Sequence, residues 1–119
     1  MEIIQGKDSF NEMATGILVK LFADYPFHSE FDYSDWGRND KRSELLRNTL
    51  LALRDMGYID IISSTDMDYA AKLTPIGLKL LQQQAPGASD TIINVLKSAA
   101  GETRTAVISA IIGWIFGGK

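Results

Sequence analysis

The sequence has no cysteine and only one histidine among its 119 residues. Without cysteine there is no disulfide, no thiolate metal site and no cysteine nucleophile. The single histidine, His28, leaves few side chains for nucleophilic chemistry, and no Ser-His-Asp order, phosphate-binding glycine loop or histidine pair accompanies it. We therefore expect neither an enzyme nor a cofactor-binding protein.

Long hydrophobic runs are also missing. No segment reaches the roughly 18 consecutive apolar residues that a membrane-spanning helix needs. The first residues, M-E-I-I-Q-G-K-D, do not have the basic start and apolar run of a signal peptide. Apolar residues make up 45% of the chain and charged residues 23%, which is typical of a soluble globular domain. We expect a cytoplasmic protein.

Acidic residues outnumber basic residues in the chain, but the basic residues are concentrated in one segment. The net charge is −3, and residues 1–84 hold 9 Lys or Arg against 13 Asp or Glu. Such an acidic body argues against nonspecific binding of nucleic acids, which depends on neutralising phosphates. Within 38–54, however, five basic residues are accompanied by only Asp40 and Glu44. A helix in this segment would have the charge that a DNA-reading element needs.

The first third of the chain predicts one long helix and an aromatic loop. Apolar residues at helical spacing predict a helix over about 9–24, with Ser9 as N-cap and Glu12 completing a capping box. The acidic segment 26–40 follows, with a short helix expected to start at Ser34 or Asp35. Four aromatic side chains of this segment are expected to pack under the helices: Phe27, Phe31, Tyr33 and Trp36.

The middle of the chain predicts a helix, a hairpin and a second helix. The first helix spans about 41–56 and ends at Gly57, which supplies a left-handed stop. Strands follow over about 58–62 and 69–73. Thr74 as N-cap and Pro75 at the first helical position then open a helix that ends by residue 84. The buried stripe of the 41–56 helix consists of Leu46, Thr49, Leu50, Leu53 and Met56.

The C-terminal region, 85–119, predicts an apolar helical extension that begins at Ser89 or Asp90. Three interpretations compete for it: burial against its own domain, pairing with another copy, or contact with a membrane surface. A membrane-surface helix should have a strongly basic polar face, and only Arg104 and Lys119 are nearby, so we expect pairing. The residues expected to join two copies are Ile92, Leu96, Val107, Ile108, Ile111, Ile112, Trp114, Ile115 and Phe116.

Two motifs in a fixed order resemble the winged helix of bacterial regulators of the MarR and PadR types. They are R-N-T-L-L-A-L-R-D-M-G-Y-I-D, a recognition helix entering a wing, and K-L-T-P-I-G-L-K-L-L, the return strand and next helix. The resemblance implies an α+β, mostly helical fold: a winged helix-turn-helix with a two-stranded wing over 1–84, followed by the extension. It also implies a homodimeric transcriptional regulator. The implied DNA contacts are Arg38, Lys41, Arg42, Arg47 and Asn48.

One feature departs from this pattern and supports an alternative. The wing, S-S-T-D-M-D, carries Asp66 and Asp68 where basic residues would meet phosphates, so it would repel them. The alternative is a winged-helix protein-interaction module without DNA binding, whose C-terminal helix docks a partner or a membrane surface. The acids around His28 do not have the spacing of a calcium loop, so we interpret them as a solvated loop and expect no metal site.

Overall fold

The computed structural model of the chain describes residues 6–36, 40–65, 68–102 and 105–117. These residues form a mostly helical α+β fold with one three-stranded antiparallel sheet, which confirms the α+β, mostly helical class expected from the sequence. In chain order the elements are α1 (Gly6–Asp24), β1 (Ser29–Asp32), α2 (Tyr33–Trp36), α3 (Asp40–Asp55), β2 (Ile59–Ser64), β3 (Asp68–Leu73), α4 (Pro75–Leu81), α5 (Ile92–Glu102) and α6 (Thr105–Gly117). Within these ranges, no helix combines the length and the apolar character needed to cross a membrane.

Helix α1 is the centre of the fold. It contacts α3, α5, α6, β1 and β3, because its apolar side chains occupy more than one side of the helix. It begins at Gly6, so Ser9 lies inside the helix and the predicted N-cap was wrong. Its fully or almost fully buried apolar residues are Met13, Ala14, Ile17, Leu18 and Leu21.

The sheet has the strand order β1-β3-β2, with β3 antiparallel to both neighbours. The predicted hairpin is therefore present, and β1 extends it to three strands. Register places Asp32 opposite Asp68 at one end of the sheet. A register shift between Ile61 and Ser63 forms a bulge on the edge strand β2, and Ile62 between them is 52% exposed.

The C-terminal helices belong to the same hydrophobic core. Helices α5 and α6 contact each other and both contact α1. Five residues predicted to join two copies are buried within this one chain: Ile92, Leu96, Ile111, Ile112 and Ile115. Trp114 and Phe116 are half-buried, and the Phe116 ring meets the edge of Phe10 with a centroid separation of 5.1 Å. Val107 and Ile108 fall in α6, but their side chains lie outside the described part of the structure.

Two predicted core residues are at the surface instead. Phe27 is 76% exposed, because it lies in the turn after α1, where its backbone N–H donates to the Asp24 carbonyl at 2.8 Å. Met56 is 40% exposed, since α3 has already ended at Asp55 and the stripe of buried positions ends with it. Phe31, in contrast, is fully buried as predicted, and its ring contacts the edge of Trp36.

Candidate nucleic-acid interface

Helix α3 has one buried side and one solvent side. Leu46, Thr49, Leu50 and Leu53 are fully buried, at the 3–4-residue spacing that one face of a helix requires. This confirms four of the five residues of the predicted stripe. The side chains exposed on the opposite side are Lys41, Glu44, Arg47, Asn48, Arg54 and Asp55.

The charges on this solvent side differ in how they are engaged. Arg54 Nη2 lies 3.3 Å from Asp55 Oδ1, so its charge is locally compensated. Among the described residues, no carboxylate lies within 4.0 Å of the Lys41 ammonium or the Arg47 guanidinium. Asn48 follows Arg47 directly, and the structure gives its side-chain amide no hydrogen-bond partner in the described part of the chain. Lys41, Arg47 and Asn48 therefore have polar groups available to a ligand.

The structure separates the five predicted DNA contacts. Lys41 and Asn48 are seven residues apart and lie on the same side of α3, whereas Arg47, adjacent to Asn48, projects about 100° around the helix from it. Arg42 is only half exposed, sits toward the buried side of the helix and already interacts with another group. Arg38 lies outside the described residues. The predicted contacts that remain exposed on the solvent side are thus Lys41, Arg47 and Asn48, and Glu44 is exposed between them.

The hairpin β2–β3 carries negative charge at its turn. Since Asp32 pairs with Asp68, the turn of the hairpin lies at the end of the sheet from which the chain enters α2 and then α3. The Asp68 carboxylate is held in place, because it accepts a hydrogen bond from Thr65 Oγ1 at 3.0 Å. Asp66 lies outside the described residues. Asp68 therefore places negative charge at the turn of the hairpin, at the end of the sheet where β1 leads into α2.

The end of α3 is joined to two later helices, which sequence reasoning did not foresee. Thr74 Oγ1 donates to the Gly57 carbonyl at 2.6 Å and accepts from the Gly77 N–H at 3.0 Å, so the predicted N-cap of α4 is confirmed and also binds the end of α3. The Tyr58 hydroxyl donates to the Ile115 carbonyl in the last turn of α6 at 3.2 Å. These partners are far apart along the chain, so no local pattern indicates the second contact.

The acidic loop after α1 does not form a metal site in the described residues. His28 Nε2 lies 3.9 Å from Glu30 Oε2, and both side chains are largely exposed. No group of three or more His, Asp or Glu side chains in the described ranges has an arrangement that would hold a metal ion. Glu30 lies on strand β1 with its side chain exposed, so the expectation of a loop was wrong for this part of the segment.

Compared with protein-family models, with curated proteins and with solved structures, the chain matches none of them. The arguments for its function therefore rest on the order of its elements and on the side chains that α3 presents to solvent.

Proposed function

We propose that this chain is a winged-helix DNA-binding protein, similar in architecture to regulators of the MarR and PadR types. The order α1, β1, α2, α3, β2, β3 and the strand order β1-β3-β2 support this proposal, because a winged helix has the same succession. In that arrangement the helix before the hairpin is the second helix of the helix-turn-helix, which enters the major groove. In this chain that helix is α3.

The observation that carries the proposal is the pair Arg47 and Asn48 on the solvent side of α3. Arginine recognises guanine with two hydrogen bonds and asparagine recognises adenine with two, so the pair suits direct readout of adjacent bases. Lys41, the second residue of the helix, is placed to neutralise a phosphate. The five-residue set expected from the sequence is thus reduced to three described residues that are exposed on the solvent side of α3.

The proposed contact surface is α3 without the hairpin. Asp60 is exposed on β2 and Asp68 is fixed by Thr65, and both carboxylates would repel phosphates. The interface of one copy is then small, which favours two copies on one operator. Dimeric readers of this kind bind half-sites about one helical turn apart, so we retain the homodimer in the proposal. Of the residues predicted to join the copies, Trp114 and Phe116 are half-exposed.

The experiment begins with capture of genomic DNA fragments by the purified protein, followed by sequencing and anisotropy titration of an enriched duplex. Arg47→Ala and Asn48→Ala should each weaken binding by about 1–3 kcal/mol, roughly 5- to 150-fold, and relax specificity at one base pair. Lys41→Ala should weaken all sequences alike and reduce the salt slope by about 1. Lys97→Ala, on the exposed side of α5, removes the same charge away from α3 and is the control.

The outcomes separate the possibilities. If Arg47→Ala and Asn48→Ala bind as well as the unchanged protein, α3 is not the reading helix. If no DNA is enriched, the second candidate, a protein-interaction module without DNA binding, takes its place. That candidate is favoured by the acidic hairpin, on which the Asp68 carboxylate would repel phosphates.

A further inference from the structure

The two residues after α3, Gly57 and Tyr58, form a helix stop with a defined hydrogen-bond pattern. Gly57 has φ of 84°, the left-handed conformation that glycine adopts without strain. Its N–H donates to the Arg54 carbonyl at 2.9 Å, and the Tyr58 N–H donates to the Leu53 carbonyl at 3.1 Å. These two bonds make a Schellman motif, which fixes the direction in which the chain leaves α3.

Helix α4 holds this stop from one side. The Thr74 hydroxyl donates to the Gly57 carbonyl, and the Thr74 N–H donates to the Tyr58 carbonyl at 3.0 Å. A Cβ at Gly77 would overlap the same Tyr58 carbonyl, so the first turn of α4 packs directly on the backbone here. The stop is therefore fixed by backbone contacts as well as by side chains.

Helix α6 holds the stop from the other side. The Ile115 carbonyl is in the last turn of α6, where carbonyls have no partner within the helix, and the Tyr58 hydroxyl supplies one. Burial raises the pKa of Tyr58, so the hydroxyl remains protonated and able to donate around neutral pH. The next residue, Phe116, contacts Phe10 near the start of α1. The last turn of α6 thus connects the first part of α1 with the end of α3.

We infer that Tyr58 is a positioning residue, and that through its hydroxyl the C-terminal helix α6 sets the orientation of α3 relative to α1. Where it concerns DNA, this inference rests on the proposed function. DNA binding by α3 would then depend on α6, whose Ile115 is more than fifty residues from Tyr58 in sequence, although α6 itself does not contact the duplex. Tyr58 itself lies past the end of α3 and does not read bases.

The test is Tyr58→Phe, which removes one hydroxyl and keeps the ring. Tyr25→Phe is the matched control, since Tyr25 is also a half-buried tyrosine packed on the core. Two measurements are made on each full-length variant well below its melting temperature: amide hydrogen exchange residue by residue, and affinity for the enriched duplex. Circular dichroism shows whether each variant is folded.

In Tyr58→Phe, amide exchange should accelerate in the last turns of both α3 and α6, and not in β1. Affinity for the duplex should fall roughly 2- to 12-fold, because the net worth of one hydrogen bond limits the effect. The salt slope should not change, since no phosphate contact is removed. Tyr25→Phe should alter neither the exchange of these two turns nor the affinity.

A purely structural role predicts a lower melting temperature with unchanged affinity of the folded protein, and that result would overturn the inference. It is also overturned if exchange in α3 and α6 does not change together. If the unchanged protein binds no DNA, the proposed function fails, while the exchange measurement still decides whether Tyr58 couples the two helices.

Discussion

The position of α6 in the core makes a sharp prediction for two neighbouring residues. Ile112 is 1% exposed, whereas Gly113, the next residue, is exposed and has no atom within 4 Å of the position that a Cβ would occupy. Ile112→Ala should therefore lose packing, and Gly113→Ala should gain helix propensity without a clash. Because the two changes differ by one position on the same helix, they serve as each other's control.

The magnitudes follow from burial. Truncating a buried isoleucine to alanine costs about 2–5 kcal/mol, and replacing a glycine by alanine in an exposed helix interior stabilises by about 0.5–1 kcal/mol. For a domain of this size, 1 kcal/mol corresponds to about 4 °C in melting temperature. Ile112→Ala should thus melt about 8–20 °C lower than the unchanged protein, and Gly113→Ala about 2–4 °C higher.

The assay is urea unfolding followed by circular dichroism, repeated at two protein concentrations at least tenfold apart. The midpoints of the proposed homodimer rise with protein concentration in any case. If Ile112 packs within its own chain, the stability lost in Ile112→Ala is the same at both concentrations, whereas a partner that covers Ile112 makes this loss depend on concentration. A cost below about 1 kcal/mol for Ile112→Ala, or a concentration-dependent loss, would refute the argument that α6 is buried in its own chain.

Two further predictions concern single polar groups. Thr49 is fully buried, and its hydroxyl has no hydrogen-bond partner among the residues that the structure describes. Thr49→Val keeps the shape of the side chain and removes this hydroxyl, so it should raise the free energy of unfolding by about 1 kcal/mol in urea titrations. A loss of stability would show that the hydroxyl is satisfied. The pKa of Asp24 is held below its ordinary value, first by the hydrogen bond from Ser29 Oγ at 2.6 Å and then by Lys20. A carboxyl group whose pKa is lower in the folded state stabilises the fold at pH values above its unfolded pKa, and this stabilisation is lost as the pH falls through the folded pKa. The stability difference between the unchanged protein and Ser29→Ala should therefore be greater at pH 7 than below about pH 4. Equal differences at both pH values would contradict this.

Local patterns were sufficient for most of the helices and strands. The 3–4-residue spacing in α3 predicted which side is buried, because a helix repeats every 3.6 residues whatever it packs against. Gly57 and Thr74 marked a helix end and a helix start, since each satisfies backbone groups within a few residues. These features need no information about distant parts of the chain.

The candidate site was predictable only in part. Lys41, Arg47 and Asn48 could be placed on the solvent side of α3 from the sequence alone. The same spacing could have removed Arg42 from the set, since it lies four residues before Leu46 and seven before Thr49, in line with the buried side. The role of Tyr58 was out of reach, since its partner, the Ile115 carbonyl, is separated from it by 57 residues.

The sequence by itself determined that the C-terminal region is helical and strongly apolar, because composition and spacing are local properties. It did not determine what covers that apolar surface. A second copy, a membrane and the same chain all provide an apolar environment, and transfer out of water is favourable into each. Only the tertiary structure showed that the same chain covers five of these residues: Ile92, Leu96, Ile111, Ile112 and Ile115. The reason is that α1 has apolar side chains on more than one side, and α5 and α6 pack on those that α3 and the sheet do not cover.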